Sequence, residues 1–292
     1  MNSFRAAVQG ESLAISAELT VRRDSTAGDV RRQADALGPL VDGVQVTDNP
    51  YGWVQMSALS AAAILVEHGV DPVPILTCRD RNRLALQADI AGLIGLGIGS
   101  MILLRGPKVP KNHSVPASTV YDLSGRELLA LASETGRAAA PPSGRALFIG
   151  TAARAFRPRR GWRAETLMAK VAAGAQFIQT QPCLNADLQR HYLQRFRDLG
   201  LAEDLPVVVT LSPIPSAVTA RWIKKTMTDT RVPPELISRL ESARDPAAEG
   251  IRACAELMQE VAGIPGVAGI NLMTTGDPEA MPAAIEASGL RS

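Results

Sequence analysis

Short apolar runs alternate with longer stretches of helical periodicity from one end of the chain to the other. Eight of the runs, rich in Val and Ile, have the length and composition of buried β-strands. They are predicted at residues 13–19, 43–47, 73–78, 100–104, 146–150, 175–180, 206–211 and 267–273. Apolar residues recur at helical spacing over residues 28–40, 56–68, 82–96, 125–135, 163–173, 186–199 and 277–287.

Strict alternation of strands and helices is typical of a parallel sheet covered by helices. Eight repeats favour a closed (β/α)8 TIM barrel over an open doubly wound sheet, and 292 residues suit one such domain spanning 1–292. A helical insertion is predicted before strand eight, at about residues 216–262, because prolines interrupt this long helical region. Residues 24–26, Ser57 and residues 80–82 carry the cap-forming side chains expected at the first three helix starts.

The first predicted strand, Leu13–Leu19, separates bulky from small residues. Its odd-numbered positions, such as Ile15, point to one face, while Ala14, Ser16 and Glu18 point to the other. This fits a barrel strand with its bulky face under a helix and its small face in the crowded interior. Glu18 then lies inside the barrel near the end of the strand, where a carboxylate is unfavourable unless it is used. We interpret Glu18 as an active-site acid; a structural carboxylate paired with an interior Arg or Lys is the alternative.

Polar residues concentrate where the predicted strands end, which is where barrel enzymes place their chemistry. The strand bodies are almost wholly apolar, and a purely structural barrel has no reason for this asymmetry. The pattern therefore indicates an enzyme. The polar positions are Glu18, Thr47-Asp48-Asn49, Thr77-Cys78-Arg79-Asp80, Arg105-Gly106, Thr151, Thr180-Gln181 and Thr274-Thr275.

The composition and charge of the chain indicate which partners and cellular settings to expect. A hydrophobic content of 46% is ample for a large core, and a net charge of +2, without basic runs interleaved with aromatics, gives no indication of a nucleic-acid partner. Three widely spaced cysteines suit a reducing, cytoplasmic setting. The start of the chain lacks a signal-peptide pattern, and the longest apolar run, residues 90–104, contains four glycines and is too short to span a membrane. We expect a cytoplasmic protein with no membrane partner.

Several motifs are excluded. The run of glycines at residues 95–99 precedes a strand, so it cannot place a helix N-terminus on a pyrophosphate. The three histidines share no metal-ligand spacing and no Cys-x-x-Cys occurs, so no metal site is predicted. Neither a Gly-x-Ser-x-Gly elbow nor a P-loop is present. Two basic loops remain, one with Arg105, Lys108 and Lys111 and one at residues 154–160; each is either a solvated surface or a site for a phosphate-bearing cofactor or an acidic substrate tail.

Short motifs occur in a recognisable order along the chain: Ser16-Ala17-Glu18-Leu19, Val46-Thr47-Asp48-Asn49, residues 76–83, Leu103-Leu104-Arg105-Gly106, residues 170–175, residues 177–181 and residues 269–273. With them the chain resembles methylenetetrahydrofolate reductases from residue 13 to residue 290. Glu18 matches a Glu on the first strand of that family. The resemblance implies a (β/α)8 barrel that reduces 5,10-methylenetetrahydrofolate to 5-methyltetrahydrofolate with NAD(P)H.

This chain departs from the family pattern mainly at positions that contact or support the flavin in flavin-containing members. In flavin-containing members the Leu-Arg-Gly run ends in an Asp beside the flavin and pterin, where this chain has Pro107. The family's flavin-supporting Tyr-Pro-Glu-x-His segment corresponds to residues 148–154, which have none of those side chains. A family acid corresponds to Arg163, and an aromatic that covers the pterin and nicotinamide falls near Ala217. We therefore expect FAD to be absent, with the nicotinamide in its place against the folate.

The resemblance then implies direct hydride transfer from NADH to the folate. Opening of the methylene bridge needs a proton at N10, and Glu18, with a pKa raised by an interior position, is expected to deliver it. Gln181 is expected to hydrogen-bond the pterin, whose N3–H and 2-amino group require a carboxylate. Either Asp48 or Asp80 fills that role, although Asp80 also suits a helix cap and Asp48 a turn.

Further expected contacts are Thr47 to the substrate, and Thr77, Thr151, Arg105 and Lys108 to the cofactor. The expected partners are a folate and a nicotinamide dinucleotide, either NADH or NADPH. Two alternatives stay open: the same reaction through FAD held by unconventional contacts, and a folate-binding barrel without catalysis. The sequence does not decide between NADH and NADPH, nor does it indicate the oligomeric state or the role of residues 216–262.

Overall fold

Eight parallel strands close into one barrel. We describe it from a computed structural model, over residues 3–10, 12–109, 117–139, 146–202, 204–274 and 276–291. The strands are β1 (Ala14–Glu18), β2 (Gly43–Val46), β3 (Pro72–Thr77), β4 (Ser100–Leu104), β5 (Phe148–Ala153), β6 (Phe177–Thr180), β7 (Val207–Leu211) and β8 (Val267–Leu272). Each strand pairs in parallel with the next, and β8 pairs with β1, which confirms the predicted (β/α)8 barrel.

Helices surround the barrel and follow the strands in turn. Within the described residues they are α1 (Phe4–Val8), α2 (Ala27–Leu37), α3 (Ala58–Glu67), α4 (Arg83–Gly95), α5 (Gly125–Ala138), α6 (Glu165–Ala172), α7 (Ala186–Asp198), α8 (Ala217–Thr226), α9 (Pro234–Ser242), α10 (Pro246–Ala262) and α11 (Ala280–Ser288). The sequence analysis does not predict α1, because five residues are too few to show a helical period.

The connection between β7 and β8 holds α8, α9 and α10, together with a short 3-10 helix at Thr228–Thr230. Proline sets two of the breaks, since α9 begins at Pro234 and α10 at Pro246, where a residue without an N–H is tolerated in the first helical turn. In the part of the chain that the structure describes, each of the other connections supplies one α-helix between consecutive strands, with a further short 3-10 helix at Pro50–Gly52.

Side-chain caps start the first three barrel helices, as the sequence predicts. Thr26 and Asp29 form a reciprocal capping box at α2. Ser57 accepts a hydrogen bond from the Ser60 N–H at α3. At α4 the cap is Asn82, which accepts a hydrogen bond from the Ala85 N–H, so Asp80 does not cap this helix.

The alternation along β1 is the one predicted. Ile15 and Ala17 are fully buried in the layer that packs on α2. Ala14 belongs to a separate apolar cluster inside the barrel, and the Ser16 hydroxyl bonds Asn271 of β8 across the interior. Glu18 therefore shares the interior face of β1.

Aromatic rings fill the half of the barrel nearer the N-terminal ends of the strands. The Phe148 and Phe177 rings stack with centroids 4.7 Å apart, and Phe4 of α1 meets Phe177 edge-on at 5.5 Å. Gly150 makes room for them, because a Cβ there would lie 2.2 Å from Phe177 Cζ. This end is closed, so a ligand must enter from the end where Glu18 lies.

β5 differs from its predicted extent of residues 146–150. It runs from Phe148 to Ala153, and its ladder to β6 continues through Thr151 and Ala153. Thr151 is consequently a strand residue on the same face as Ile149, which packs among the outer helices, and its hydroxyl donates to the Leu103 carbonyl. The sequence predicts a strand end before Thr151, but Thr151 pairs along the sheet as the apolar residues do.

Candidate active site

Glu18 ends β1 on the interior face at the open mouth of the barrel. Burial raises the pKa of Glu18 to about 7, and a hydrogen bond from the Asn271 amide acts in the opposite direction. The Asn271 Nδ2 lies 3.5 Å from Glu18 Oε1, a long contact for a hydrogen bond. No described Arg or Lys perturbs this carboxyl group, which favours the active-site interpretation over a structural ion pair.

Tyr51 is a neighbour of Glu18 that the sequence analysis missed. It lies in the loop after β2 with a left-handed φ of 56°, and the residue is 48% exposed. Burial and then the charge of Glu18 raise the pKa of Tyr51, so the phenol and the carboxyl group interact electrostatically. The Tyr51 hydroxyl also reaches Met227, at 3.6 Å from Sδ, beyond the end of α8. The Asn-Pro-Tyr-Gly run after a strand was the available signal, because such residues build tight loops.

Asp48 lies at the end of β2 but is occupied by neighbouring groups. Its Oδ2 accepts hydrogen bonds from the Thr77 N–H and hydroxyl at 2.8 and 2.9 Å, and Arg81 forms an ion pair with the same oxygen. Burial nevertheless raises the pKa of Asp48 above its ordinary value. Its side chain is only 4% exposed, so Asp48 and Thr77 tie β2 to β3 beneath the surface of the mouth.

Asp80 is paired as well, but it is more accessible. Arg79, which is almost fully buried, donates from Nε and Nη2 to the two Asp80 oxygens, both at 2.7 Å. Burial raises the pKa of Asp80, but the hydrogen bonds and charge of Arg79, a hydrogen bond from Asn49 and the charge of Arg81 together lower it overall. The Asp80 side chain is 31% exposed, so it stays accessible to a further donor.

The two remaining expected substrate contacts lie at the mouth in different settings. Gln181 is exposed directly after β6, where its backbone N–H donates to the Ala153 carbonyl at 2.8 Å. Thr47 is half-buried, and its hydroxyl donates to Gln55 Oε1 at 3.1 Å. Gln181 therefore presents a side chain to the mouth, whereas Thr47 is engaged in its own loop.

Positive charge lines the rim after β4. Arg105 is exposed, with its guanidinium carbon 4.2 Å from the centroid of the Tyr121 ring, which fixes the direction of the side chain. Lys108 is exposed three residues later. Lys111 and His113 lie outside the described residues. The second basic loop is held differently, since Arg154 pairs with Asp229 of the connection between β7 and β8.

The end of β5 offers little to a flavin. Thr151 is 2% exposed and turned outward, and the two residues after it are alanines. The Lys170 ammonium donates to the Ala152 carbonyl at 2.7 Å, and burial lowers the pKa of Lys170. Pro107 offers no hydrogen-bonding side chain where flavin-containing members of the resembling family carry an acid. These residues do not supply the hydrogen-bonding side chains expected around an isoalloxazine ring.

The described part of the chain gives no indication of a metal site, a disulfide or a membrane-spanning helix. It contains no group of three His, Cys, Asp or Glu side chains suited to a metal ion. The three cysteines are free and buried. None of the helices in the described ranges has the length and apolar character to cross a membrane.

Comparison with known proteins identifies the family of the chain. A family model described as methylenetetrahydrofolate reductase matches residues 4–289. The search of curated proteins finds no match. A solved structure of an uncharacterized protein from Clostridium thermocellum, which binds two copies of 5-methyl-5,6,7,8-tetrahydrofolic acid, is similar to this chain at a TM-score of 0.65 and 14% identity, over 97% of this chain and 96% of that one. At that identity the likeness shows the fold alone. The family match covers nearly the whole chain, and the protein belongs to the methylenetetrahydrofolate reductase family.

Proposed function

We propose that this protein reduces 5,10-methylenetetrahydrofolate to 5-methyltetrahydrofolate with NADH as the direct hydride donor and without a flavin. The observation that carries the proposal is Glu18, a carboxyl group on the interior face at the mouth with a pKa raised to about 7 by burial. Such a group is about half protonated at neutral pH, which is the condition that favours a general acid.

The role of Glu18 follows from the chemistry of the substrate. The bond between the methylene carbon and N10 must break, and its electron pair needs a proton at N10. Glu18 donates that proton, and the exocyclic carbon, left as an iminium on N5, accepts a hydride to become the methyl group. The dihydronicotinamide supplies this hydride, and much of the rate comes from holding the two reactants face to face.

Other residues at the mouth suit binding. Gln181 is exposed beside the interior and has both a donor and an acceptor for the pterin. Asp80 is a better partner than Asp48 for the pterin N3–H and 2-amino group, because its side chain is 31% exposed and that of Asp48 only 4%. Arg105 and Lys108 provide positive charge for the phosphates of the dinucleotide.

The proposal of direct transfer rests on the misfit at β5 and at Pro107. A single visible spectrum of purified protein tests it, since bound FAD gives a yellow sample whose colour survives dialysis. We expect a colourless protein that oxidises NADH when methylenetetrahydrofolate is added, with initial rates typical of a ternary complex. A stable yellow colour with ping-pong kinetics would support the FAD-dependent alternative, and the absence of NADH oxidation would support a binding protein without catalysis.

Replacement of Glu18 tests the acid. We expect Glu18→Gln to lower turnover by about 10²–10⁴, the usual contribution of general acid catalysis. For the unmodified enzyme, turnover should fall as pH rises through about 7, because the protonated fraction of Glu18 falls there. Glu134→Gln, an equivalent change on the exposed face of α5, is the matched control and should leave turnover unchanged. Near-normal turnover in Glu18→Gln would remove Glu18 from this role.

A further inference from the structure

Four polar side chains form a hydrogen-bonded row through the barrel interior and end at Glu18. Gln179 of β6 and Gln45 of β2 exchange two amide hydrogen bonds, at 2.6 and 2.9 Å. Gln45 Nε2 also donates to Ser16 Oγ at 3.1 Å, and Ser16 donates to Asn271 Oδ1 at 3.0 Å. Asn271 Nδ2 then faces Glu18 Oε1 at 3.5 Å. The row therefore links β6, β2, β1 and β8 to the carboxyl group.

In the structure the row runs in one direction. Gln45 uses its amide group as a donor to Ser16, so the Ser16 hydroxyl must donate onward to an acceptor. That acceptor is Asn271 Oδ1, and the amide of Asn271 is thereby held with Nδ2 towards Glu18. With Gln45 in this orientation, an Asn271 amide that turned over alone would direct a second donor at Ser16, and its carbonyl oxygen would face the ionised carboxylate. All four side chains are at least nine-tenths buried, so water does not compete with these contacts.

We propose that Asn271 is a positioning residue for the reaction: the row from Gln179 to Ser16 fixes its amide, and the fixed amide holds Glu18 and sets the pH range in which Glu18 can deliver a proton. The functional part of this inference rests on the proposed role of Glu18 as the acid. The structural part concerns only the coupling between the amide and the carboxyl group.

The expected direction of the coupling follows from charge. A donor stabilises the ionised carboxylate, so Asn271 keeps the pKa of Glu18 lower than burial alone would place it. Among the described residues, Tyr51 in the loop after β2 is a titratable group of another element that interacts electrostatically with Glu18. The pKa of Tyr51 is raised, so its phenol stays neutral around pH 7 and adds no charge there.

The test measures the pKa of Glu18 directly, in protein without folate or dinucleotide. Glutamate labelled with ¹³C at the carboxyl carbon gives an NMR signal for Glu18, assigned from its loss in Glu18→Gln. We expect Asn271→Leu to raise this pKa by roughly 0.5–1 unit, less than the usual effect of a hydrogen bond to a charged acceptor because the contact is long at 3.5 Å. Ser16→Ala should also raise it, because the freed amide can turn over and accept a hydrogen bond from the protonated acid.

Thr210→Val is the matched control. Thr210 is buried, pairs in register with Asn271, and its hydroxyl has no hydrogen-bond partner among the described residues, so this change removes interior polarity without breaking the row. Its Glu18 pKa should match that of the unmodified protein. An unchanged Glu18 pKa in both Asn271→Leu and Ser16→Ala, or an equal shift in Thr210→Val, would overturn the inference. Should Asn271→Leu not fold, Ser16→Ala and its control decide alone.

The two proposals fail in different ways. If the pKa shifts as expected but the protein does not reduce methylenetetrahydrofolate, the coupling stands and the proposed function is wrong. If the protein is active, the basic limb of its pH–rate profile should move to higher pH in Asn271→Leu by the same amount as the NMR pKa. A lowered rate with an unmoved limb would show that Asn271 has a merely structural role.

Discussion

Replacing Glu18 by Gln should stabilise the fold while it removes the acid, and the gain should depend on pH. Burial raises the pKa of Glu18 from 4.5 to about 7. At 1.36 kcal/mol per unit this shift corresponds to about 3 kcal/mol, the cost of ionising the carboxyl group inside the barrel. Gln has nearly the same shape and carries no charge, so Glu18→Gln avoids that cost.

The sign follows from proton binding. Between pH 4.5 and 7 the unfolded chain releases the Glu18 proton while the folded chain retains it, so the folded protein loses stability as pH rises. The free energies of unfolding of the two proteins should therefore be similar below pH 4.5, diverge through pH 6, and differ by up to about 3 kcal/mol above pH 7.5. For a chain of this length the corresponding difference in Tm is roughly 5 °C.

Urea or thermal unfolding followed by circular dichroism at several pH values between 4 and 9 measures this difference. Glu134→Gln on α5 is again the control, because that side chain is exposed and its replacement should give no pH-dependent gain. A constant difference between Glu18→Gln and the unmodified protein at every pH would refute the reasoning, since it would show that the effect is one of packing and that ionisation plays no part.

Three further changes probe the barrel. Gly150→Ala should destabilise the protein by about 1–3 kcal/mol, because its Cβ would lie 2.2 Å from Phe177 Cζ; an unchanged Tm would contradict the tight packing of that ring. Arg291→Ala should lower stability by about 1–3 kcal/mol, since it leaves the buried Asp42 without its ion-pair partner; a denaturant titration measures this. Burial raises the pKa of Asp71 to about 6, so Asp71→Asn should stabilise the protein at pH 8 and lose that gain below pH 4; equal gains at both pH values would exclude the ionisation argument.

The fold was predictable because the chain repeats one signal eight times. Each Val- and Ile-rich run is followed by a helical period, and hydrophobic burial fixes both the strand register and the helix face. Strand ends were harder to predict, as Thr151 shows: its hydroxyl finds a backbone carbonyl inside the sheet, and nothing in the local sequence marks that partner. The short α1 was not predictable for a related reason: Phe4 packs against Phe177, which lies more than 170 residues away along the chain.

The candidate site was predictable only in part. The interior position of Glu18 follows from the alternation along β1, because Glu18 shares the parity of the small residues Ala14 and Ser16. Asp48 accepts a hydrogen bond from Thr77 and pairs with Arg81 because the loops after β2 and β3 lie against each other. No local pattern in the sequence indicates this contact between the loops. Asn271 had a signal that went unused, namely an amide on the interior parity of the otherwise apolar β8.

Glu18 differs from the other carboxyl groups at the mouth because no cation lies against it among the described residues. Asp80 shows the opposite arrangement, with Arg79 at 2.7 Å and a lowered pKa. A unit positive charge 4 Å from Glu18 would favour its ionised form by about 4 kcal/mol at an effective dielectric constant of 20, which is about three pKa units. The carboxyl group would then be ionised at neutral pH and could not protonate N10. A neutral amide such as Asn271 can hold the carboxyl group in place without that loss, and this is a physical reason for the interior of the mouth to be built from Gln, Ser and Asn side chains.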